Sequence, residues 1–94
     1  MDINIHTSEN HAAIPPGATI RELLLIQGMT QEGFAKRMDL SEQETRELIN
    51  GRTGLTHQIA LRLESVLGLP ASFWNNLESI FREDEERVKM ENKL

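Results

Sequence analysis

The sequence contains no cysteine among its 94 residues. Disulfide bonds, thiolate metal sites and cysteine nucleophiles are therefore excluded, and the fold has to rest on its apolar core or on a partner. A chain without cysteine fits a reducing compartment, and its first residues lack the basic start and apolar stretch of a secretion signal. We therefore expect a cytoplasmic protein.

Long hydrophobic runs are also missing. The longest run of aliphatic residues, Leu23 to Ile26, is far too short to span a bilayer, so we expect no membrane association. Apolar residues still make up 38% of the chain and charged residues 27%, which favours a packed globule over a disordered chain. The length suits one small domain.

Patterns that mark enzymes are absent too. We find no Ser/His/Asp arrangement, no glycine-rich phosphate loop and no paired carboxylates that can be placed at a cleft, so we predict no enzymatic activity, cofactor or small-molecule substrate. The three histidines, His6, His11 and His57, lack the helical spacing or cysteine partners of a metal site. We therefore predict no bound metal.

Period-two alternation, which marks strands, is absent, whereas helical spacing and helix-end signals recur along the chain. The sequence therefore predicts an all-α protein, a compact bundle of five short helices. Pro15-Pro16-Gly17 is predicted to form a turn, because proline lacks a donor and glycine adopts positive φ easily. The predicted helices are Thr19–Gln27, a second after Thr30, a third over Ser41–Asn50, a fourth from Thr56 and a fifth from Pro70.

The two ends of the chain differ from the middle. Residues 1–14 show no period and are predicted to form a flexible arm, while residues 15–81 form the folded domain. Residues 82–94 are charged and have no apolar stripe. Two interpretations of this tail stay open: it continues the fifth helix as a solvated helix, or it frays.

The link between the second and third helices consists only of Asp39 and Leu40. So short a link forces a sharp angle, which lets one helix lie across a DNA backbone while the next projects into a groove. At about 100° per residue, Thr45 and Leu48 face inward on the third helix. Gln43, Arg46 and Glu47 face outward.

The formal net charge of −5 at first argues against a nucleic-acid partner, because phosphate binding needs local cations. Part of this charge lies outside the middle of the chain: residues 1–17 hold two acidic and no basic residues, and residues 79–94 hold five acidic and four basic ones. Phosphate contacts could also come from helix N-termini, whose free N–H groups bind anions. The candidates are Lys36, Arg37, Arg46 and Arg52, with the helix starts at Thr30-Gln31 and Thr56-His57.

Three glutamates lie on the third helix. Glu42 and Glu44 occupy its first turn, where carboxylates interact favourably with the helix dipole. Glu47 lies in the middle of the outward face and has three open interpretations. It accepts a hydrogen bond from cytosine N4, it pairs with an arginine across the turn, or the surface does not bind DNA.

Motifs in the middle of the chain resemble a known family. Gln31 and Ala35, the turn at Asp39, Leu48 and the "NGR" at Asn50 are similar to the lambda-repressor-like helix-turn-helix. The wider chain, over roughly residues 15–80, resembles a HigA-type antitoxin. The matching segments are "PPGATIREL", "GMTQEGFAKRMDLS" and "LINGRTGLTHQIALRLESVLGLPASFWNNLES", the last with Phe73, Trp74, Asn76 and Leu77.

The resemblance implies a function and a set of residues. Such an antitoxin forms a homodimer, binds double-stranded operator DNA to repress its own operon, and neutralises a RelE-like RNase toxin. Three positions depart from the family pattern, namely Ala18, Gly33 and Thr45. By position, the residues facing DNA are Gln31, Gln43, Arg46, Glu47, Arg52 and Thr53, with Thr56 and His57 beside the backbone.

A second function stays open from the sequence. The domain could bind a protein, either a toxin or an attached domain, and have little affinity for DNA. Similar domains also precede a zinc-peptidase domain in longer proteins. This chain has no HExxH motif, so that activity would not reside in these residues.

Overall fold

The structure, a computed structural model, describes residues 12–93, and within that range it contains five α-helices and no strand. The predicted all-α bundle is confirmed. None of the helices in this range is both long and apolar enough to cross a membrane. The predicted arm, with His6 and His11, lies almost wholly outside the described residues and stays a prediction. The helices are α1 (Gly17–Gln27), α2 (Gln31–Met38), α3 (Glu42–Ile49), α4 (His57–Leu67) and α5 (Ala71–Lys93).

Helix α1 begins at Gly17, two residues before the predicted start. The carbonyls of Pro15 and Pro16 accept the first helical hydrogen bonds, from Ala18 at 3.0 Å and from Ile20 at 3.1 Å. Proline is suited to a helix start because its missing N–H would have no acceptor there. The expected turn is therefore the first turn of the helix.

The reason for glycine at position 17 also differs from the prediction. Gly17 is helical and does not have a positive φ. Instead, a Cβ at this position would overlap the backbone carbonyl of Ile49 at the end of α3. Glycine is needed because two helix backbones approach closely, which is a tertiary requirement that local turn chemistry does not show.

Threonine and serine side chains define the starts of three helices. The Oγ1 atoms of Thr30 and Thr56 accept hydrogen bonds from Gly33 N at 2.9 Å and Ile59 N at 3.1 Å, and Ser41 caps α3 in the same way. Such caps satisfy first-turn N–H groups that have no partner within the helix. Helices α2, α3 and α4 therefore start within one residue of the predicted positions.

The core lies between α1, the α2–α3 pair and the packed α4 and α5. Trp74 is fully buried on α5, and its ring meets Phe73 edge-on at 5.3 Å between centroids. Thr45 is buried where an aliphatic residue is usual, and its hydroxyl donates to the Ser41 carbonyl at 2.8 Å, so its polar atom is satisfied. The largest fully buried apolar side chains are Ile20, Phe34, Met38, Ile49, Leu63 and Trp74.

The charged tail continues α5 as a helix as far as Lys93. Of the two interpretations left open by the sequence, the structure shows the helical one. Phe81 is 5% exposed and is the last buried residue of α5. Beyond it, the described side chains are exposed or half-buried. The division of the chain at residue 81 into domain and extension stays a prediction.

The contact between α1 and α3 generates a prediction about stability. We expect Gly17→Ala to lower the free energy of unfolding by about 2–3 kcal/mol, because a methyl group cannot enter without separating two backbones. Urea denaturation followed by circular dichroism measures this change. Gly33→Ala is the matched helical control, since its new methyl would meet only the Thr30 hydroxyl at 3.2 Å and the Met29 side chain at 4.0 Å. Its effect should stay within about 1 kcal/mol, and equal losses would contradict the explanation.

Candidate nucleic-acid interface

Two residues turn the chain between α2 and α3. Asp39 adopts a left-handed conformation with φ 59° and ψ 45°, and it is the one described non-glycine residue with positive φ. Its N–H donates to Lys36 O at 3.2 Å, and the N–H of Leu40 donates to Ala35 O at 2.9 Å. These bonds close the last turn of α2. Helix α3 therefore begins shortly after α2 ends and runs in a different direction from it.

A capping box fixes the start of α3. Ser41 Oγ accepts from Glu44 N at 3.0 Å, and Glu44 Oε1 accepts from Ser41 N at 2.8 Å. The Glu44 side chain is therefore used as a cap at the start of the helix, in the first turn where the sequence places it. Glu42 lies 4.0 Å from Arg46 in a pair whose side chains are 74% and 57% exposed, so this contact is weak and leaves Arg46 accessible.

Glu47 is different from the other two glutamates. It is half-buried, and its side chain makes no hydrogen bond or ion pair within residues 12–93. The interpretation in which it pairs with an arginine across the turn is therefore not found in that range. A carboxylate that is partly desolvated and without a donor is available to a donor on a ligand.

Helix α3 forms a ridge between two grooves. The larger groove, of about 440 Å³, has a floor that includes Leu48 and Ile59, and the smaller one, of about 190 Å³, lies between α2 and α3. We call the side chains of Gln43, Arg46 and Glu47 the α3 ridge. Among the predicted DNA-facing residues, Gln43, Glu47 and Thr53 line the larger groove, and Gln31 and Arg46 line the smaller one.

The remaining predicted residues lie in the loop after α3 and at the start of α4. Arg52 is exposed and, among the described residues, its side chain has no partner. The Thr56 hydroxyl is used as the cap of α4, while the His57 ring lies 3.1 Å from Asn75, measured from Nδ1 to Nδ2. Because an amide NH2 group only donates, Nδ1 accepts and the proton of the neutral ring lies on Nε2. That N–H can donate to an anion.

Two long-range contacts at this surface were missed from the sequence. Arg82 of α5 donates to the Thr53 carbonyl at 3.0 Å, and Arg21 of α1 donates to the Asn50 side chain at 2.8 Å. The spacing of Glu78 and Glu85 around Arg82 could have predicted its pairs within the helix. No sequence signal connects Arg82 to a carbonyl 29 residues away.

Comparisons with known proteins agree with this geometry. Residues 20–74, more than half of the chain, match the sequence model of the helix-turn-helix family. The chain belongs to this family, whose fold is that of DNA-binding transcription regulators.

A solved structure supports similarity to a narrower group of proteins within the helix-turn-helix family. An addiction module antidote protein of the HigA family from Coxiella burnetii superimposes with a TM-score of 0.73 at 27% sequence identity. The match covers 86% of this chain and 89% of that one. The resemblance to HigA-type antitoxins that the sequence motifs indicated is confirmed.

Two curated relatives are similar over a shorter range. The HTH-type transcriptional regulator YddM of Escherichia coli K12 is 30% identical over 64 residues, which is 68% of this chain and 68% of that protein. Virulence-associated protein I of Dichelobacter nodosus is 31% identical over 70 residues, 73% of this chain and 65% of that protein. The matched region thus spans about two thirds of the length of either relative.

The different roles of the α3 glutamates generate a second prediction. We expect Glu44→Ala to lower the free energy of unfolding by about 1 kcal/mol, because it removes a capping hydrogen bond and a charge near the helix N-terminus. Glu47→Ala should change it by less than about 0.5 kcal/mol, because Glu47 has no partner among the described residues. Thermal and urea denaturation of both variants measure the difference. A larger loss for Glu47 would show that it has a structural role.

Proposed function

We propose that this protein is a HigA-type antitoxin that binds DNA as a homodimer, represses its own operon and neutralises a RelE-like RNase toxin. The observation that carries the proposal is the α3 ridge, whose outward side chains lie between two grooves of a helix-turn-helix. The proposed activity is binding rather than catalysis. Its place of action is the cytoplasm.

In this proposal α3 enters the major groove of the operator. Gln43, Arg46 and Glu47 meet base edges there, as the outward residues of a recognition helix do. Gln31, Arg52, Thr53, Thr56 and His57 lie beside the sugar-phosphate backbone. The first N–H groups of α2 and α4 that Thr30 and Thr56 leave free add donors for phosphate oxygens.

Glu47 contributes specificity at the expense of affinity. Its carboxylate, which has no partner within residues 12–93, accepts a hydrogen bond from the N4 amino group of a cytosine, which no other base presents in the same place. The same carboxylate repels phosphates, and few cations surround it. We therefore expect modest affinity and marked discrimination between sequences.

A second copy of the chain completes the proposed regulator. On α5, Phe73, Leu77 and Ile80 recur at helical spacing; the first two are half-buried and Ile80 is 53% exposed. We assign this stripe to the contact between two copies. In the dimer the two α3 ridges are separated by one duplex turn, about 34 Å, so that each meets one half of a palindromic operator.

A protein-interaction module is the second candidate. The observation in its favour is the acidic character of the surface, because Glu42, Glu44 and Glu47 all belong to α3. Such a module would bind a toxin, or regulate an attached zinc-peptidase domain in a longer protein, with little affinity for DNA. The first candidate predicts specific binding to the DNA upstream of the gene, and the second predicts little or no binding to it.

The DNA-binding proposal predicts a specific and salt-dependent complex. We expect binding to the upstream DNA whose log K falls with log salt, with a slope of about −0.9 for each phosphate contacted. Arg46→Ala should weaken this binding by about 1–3 kcal/mol, the range for a side chain that contacts a base. Fluorescence anisotropy at several salt concentrations measures both quantities.

The matched control for Arg46→Ala is Arg87→Ala, which removes an exposed arginine of the α5 extension and should leave the affinity unchanged. The result that would contradict the regulator is a wild-type protein that ignores its upstream region. If that protein still forms a complex with the product of a small neighbouring reading frame, the interaction module is correct.

The assignment of Glu47 predicts a change of sequence preference. Glu47→Gln replaces an acceptor by an amide that can pair with adenine N6 and N7. We expect the preferred base pair at one position of each half-site to change from C·G to A·T. Selection from a randomised operator library measures the preference of both proteins. An unchanged preference would mean that Glu47 does not contact a base.

A further inference from the structure

The helix-turn-helix match ends at residue 74, yet a residue beyond it reaches the DNA-facing surface. Arg82, on α5, donates from Nη2 to the backbone carbonyl of Thr53 at 3.0 Å. Thr53 belongs to the loop that follows α3, residues 51–54. This loop carries Arg52 and Thr53, both assigned above to the DNA backbone.

The Arg82 side chain is itself held in place by two carboxylates. Its Nε lies 2.7 Å from Glu78 Oε2, and its Nη1 lies 3.1 Å from Glu85 Oε1. The hydrogen bond with Glu78 raises the pKa of the Arg82 guanidinium; desolvation lowers it by a smaller amount, and Glu85 raises it again. The guanidinium is therefore a fixed cation with an acceptor on each of its three nitrogens.

Helix α5 also contacts the beginning of the same loop. Gly51 has a φ of 74°, and a Cβ there would lie 2.9 Å from the ring of Phe81 and 2.7 Å from Pro15 Cβ. Phe81 precedes Arg82, whose guanidinium carbon lies 4.7 Å from the centre of the Phe81 ring. Consecutive residues of α5 thus hold loop 51–54 at two points, with Arg52 between them.

We propose that Arg82 is a positioning residue, which fixes loop 51–54 in the conformation that presents Arg52 and Thr53 to the DNA backbone. This inference rests on the proposed DNA binding. A loop that is ordered before binding does not lose further freedom in the complex, so affinity increases without any contact between Arg82 and DNA. A residue of α5 outside the family match thereby influences how tightly loop 51–54, which lies inside the match, binds DNA.

The geometry requires arginine rather than another cation. Arginine presents its donors in a rigid planar fork, so it can bond to Glu78, Glu85 and the Thr53 carbonyl at once. A lysine at this position keeps the charge but has one ammonium group on a flexible stem. It could pair with a carboxylate of α5 or approach Thr53, and it could not hold all three acceptors.

The test compares Arg82→Lys with Arg87→Lys, an exposed arginine of the same helix. In the free protein, we expect Arg82→Lys to lower the 15N order parameters of Thr53 and Gly54 from about 0.85 towards 0.6, the range of a flexible backbone. With upstream DNA, we expect several-fold weaker binding and a log K against log salt slope that is shallower by about 0.9, one phosphate contact. Arg87→Lys should change neither measurement, and the melting temperature of both variants should stay close to that of the wild type.

Three results would overturn the inference. Unchanged order parameters in loop 51–54 would show that Arg82 does not order it, whether or not the protein binds DNA. A flexible loop with unchanged affinity and salt slope would show that its order does not matter for binding. A melting temperature that falls in parallel with affinity would indicate only a structural role. If the wild type does not bind DNA, the proposed function fails, and the order parameters still decide whether Arg82 holds the loop.

Discussion

The two-residue turn at Asp39 and Leu40 is the constraint on which the proposed DNA-binding surface depends. It changes the chain direction at one left-handed residue, and Arg62 of α4 donates to the Met38 carbonyl at 3.1 Å, which satisfies an acceptor at the C-terminal end of α2. Because the turn is so short, α3 cannot pack with both sides against the core. Its outer side is left as a ridge between two grooves, and the neighbouring elements are arranged around it.

The carboxylates of α3 show how one short helix combines stability with recognition. Without Glu44 the first turn would lose a capping partner, and Glu42 offsets part of the charge of Arg46 at the surface. Only Glu47 stands apart, half-buried and without a partner in the described residues. Of the three carboxylates on α3, Glu47 is thus the one whose chemistry suits a specific donor on DNA.

Local features were predictable from the sequence and long-range ones were not. The starts of α2, α3 and α4 depend on the side chains of Thr30, Ser41 and Thr56, which bond within three residues, so these starts were predicted to within one residue. The sequence missed why position 17 requires glycine, because the reason is a backbone carbonyl 32 residues further along the chain. The link from Arg82 to the loop after α3 was missed for the same reason. The ridge was placed by helical periodicity, while the roles of its residues stay predictions.

Because a side chain at position 17 would overlap the backbone of α3, the residue at this position indicates how closely α1 and α3 pack. The backbones of α1 and α3 approach so closely there that a side chain at position 17 would overlap the Ile49 carbonyl unless the two helices moved apart. An alanine or serine at the equivalent place in another chain would imply that its first helix lies further from its third helix. The residue at this one position thus distinguishes bundles in which α1 and α3 are in backbone contact from bundles in which they lie further apart.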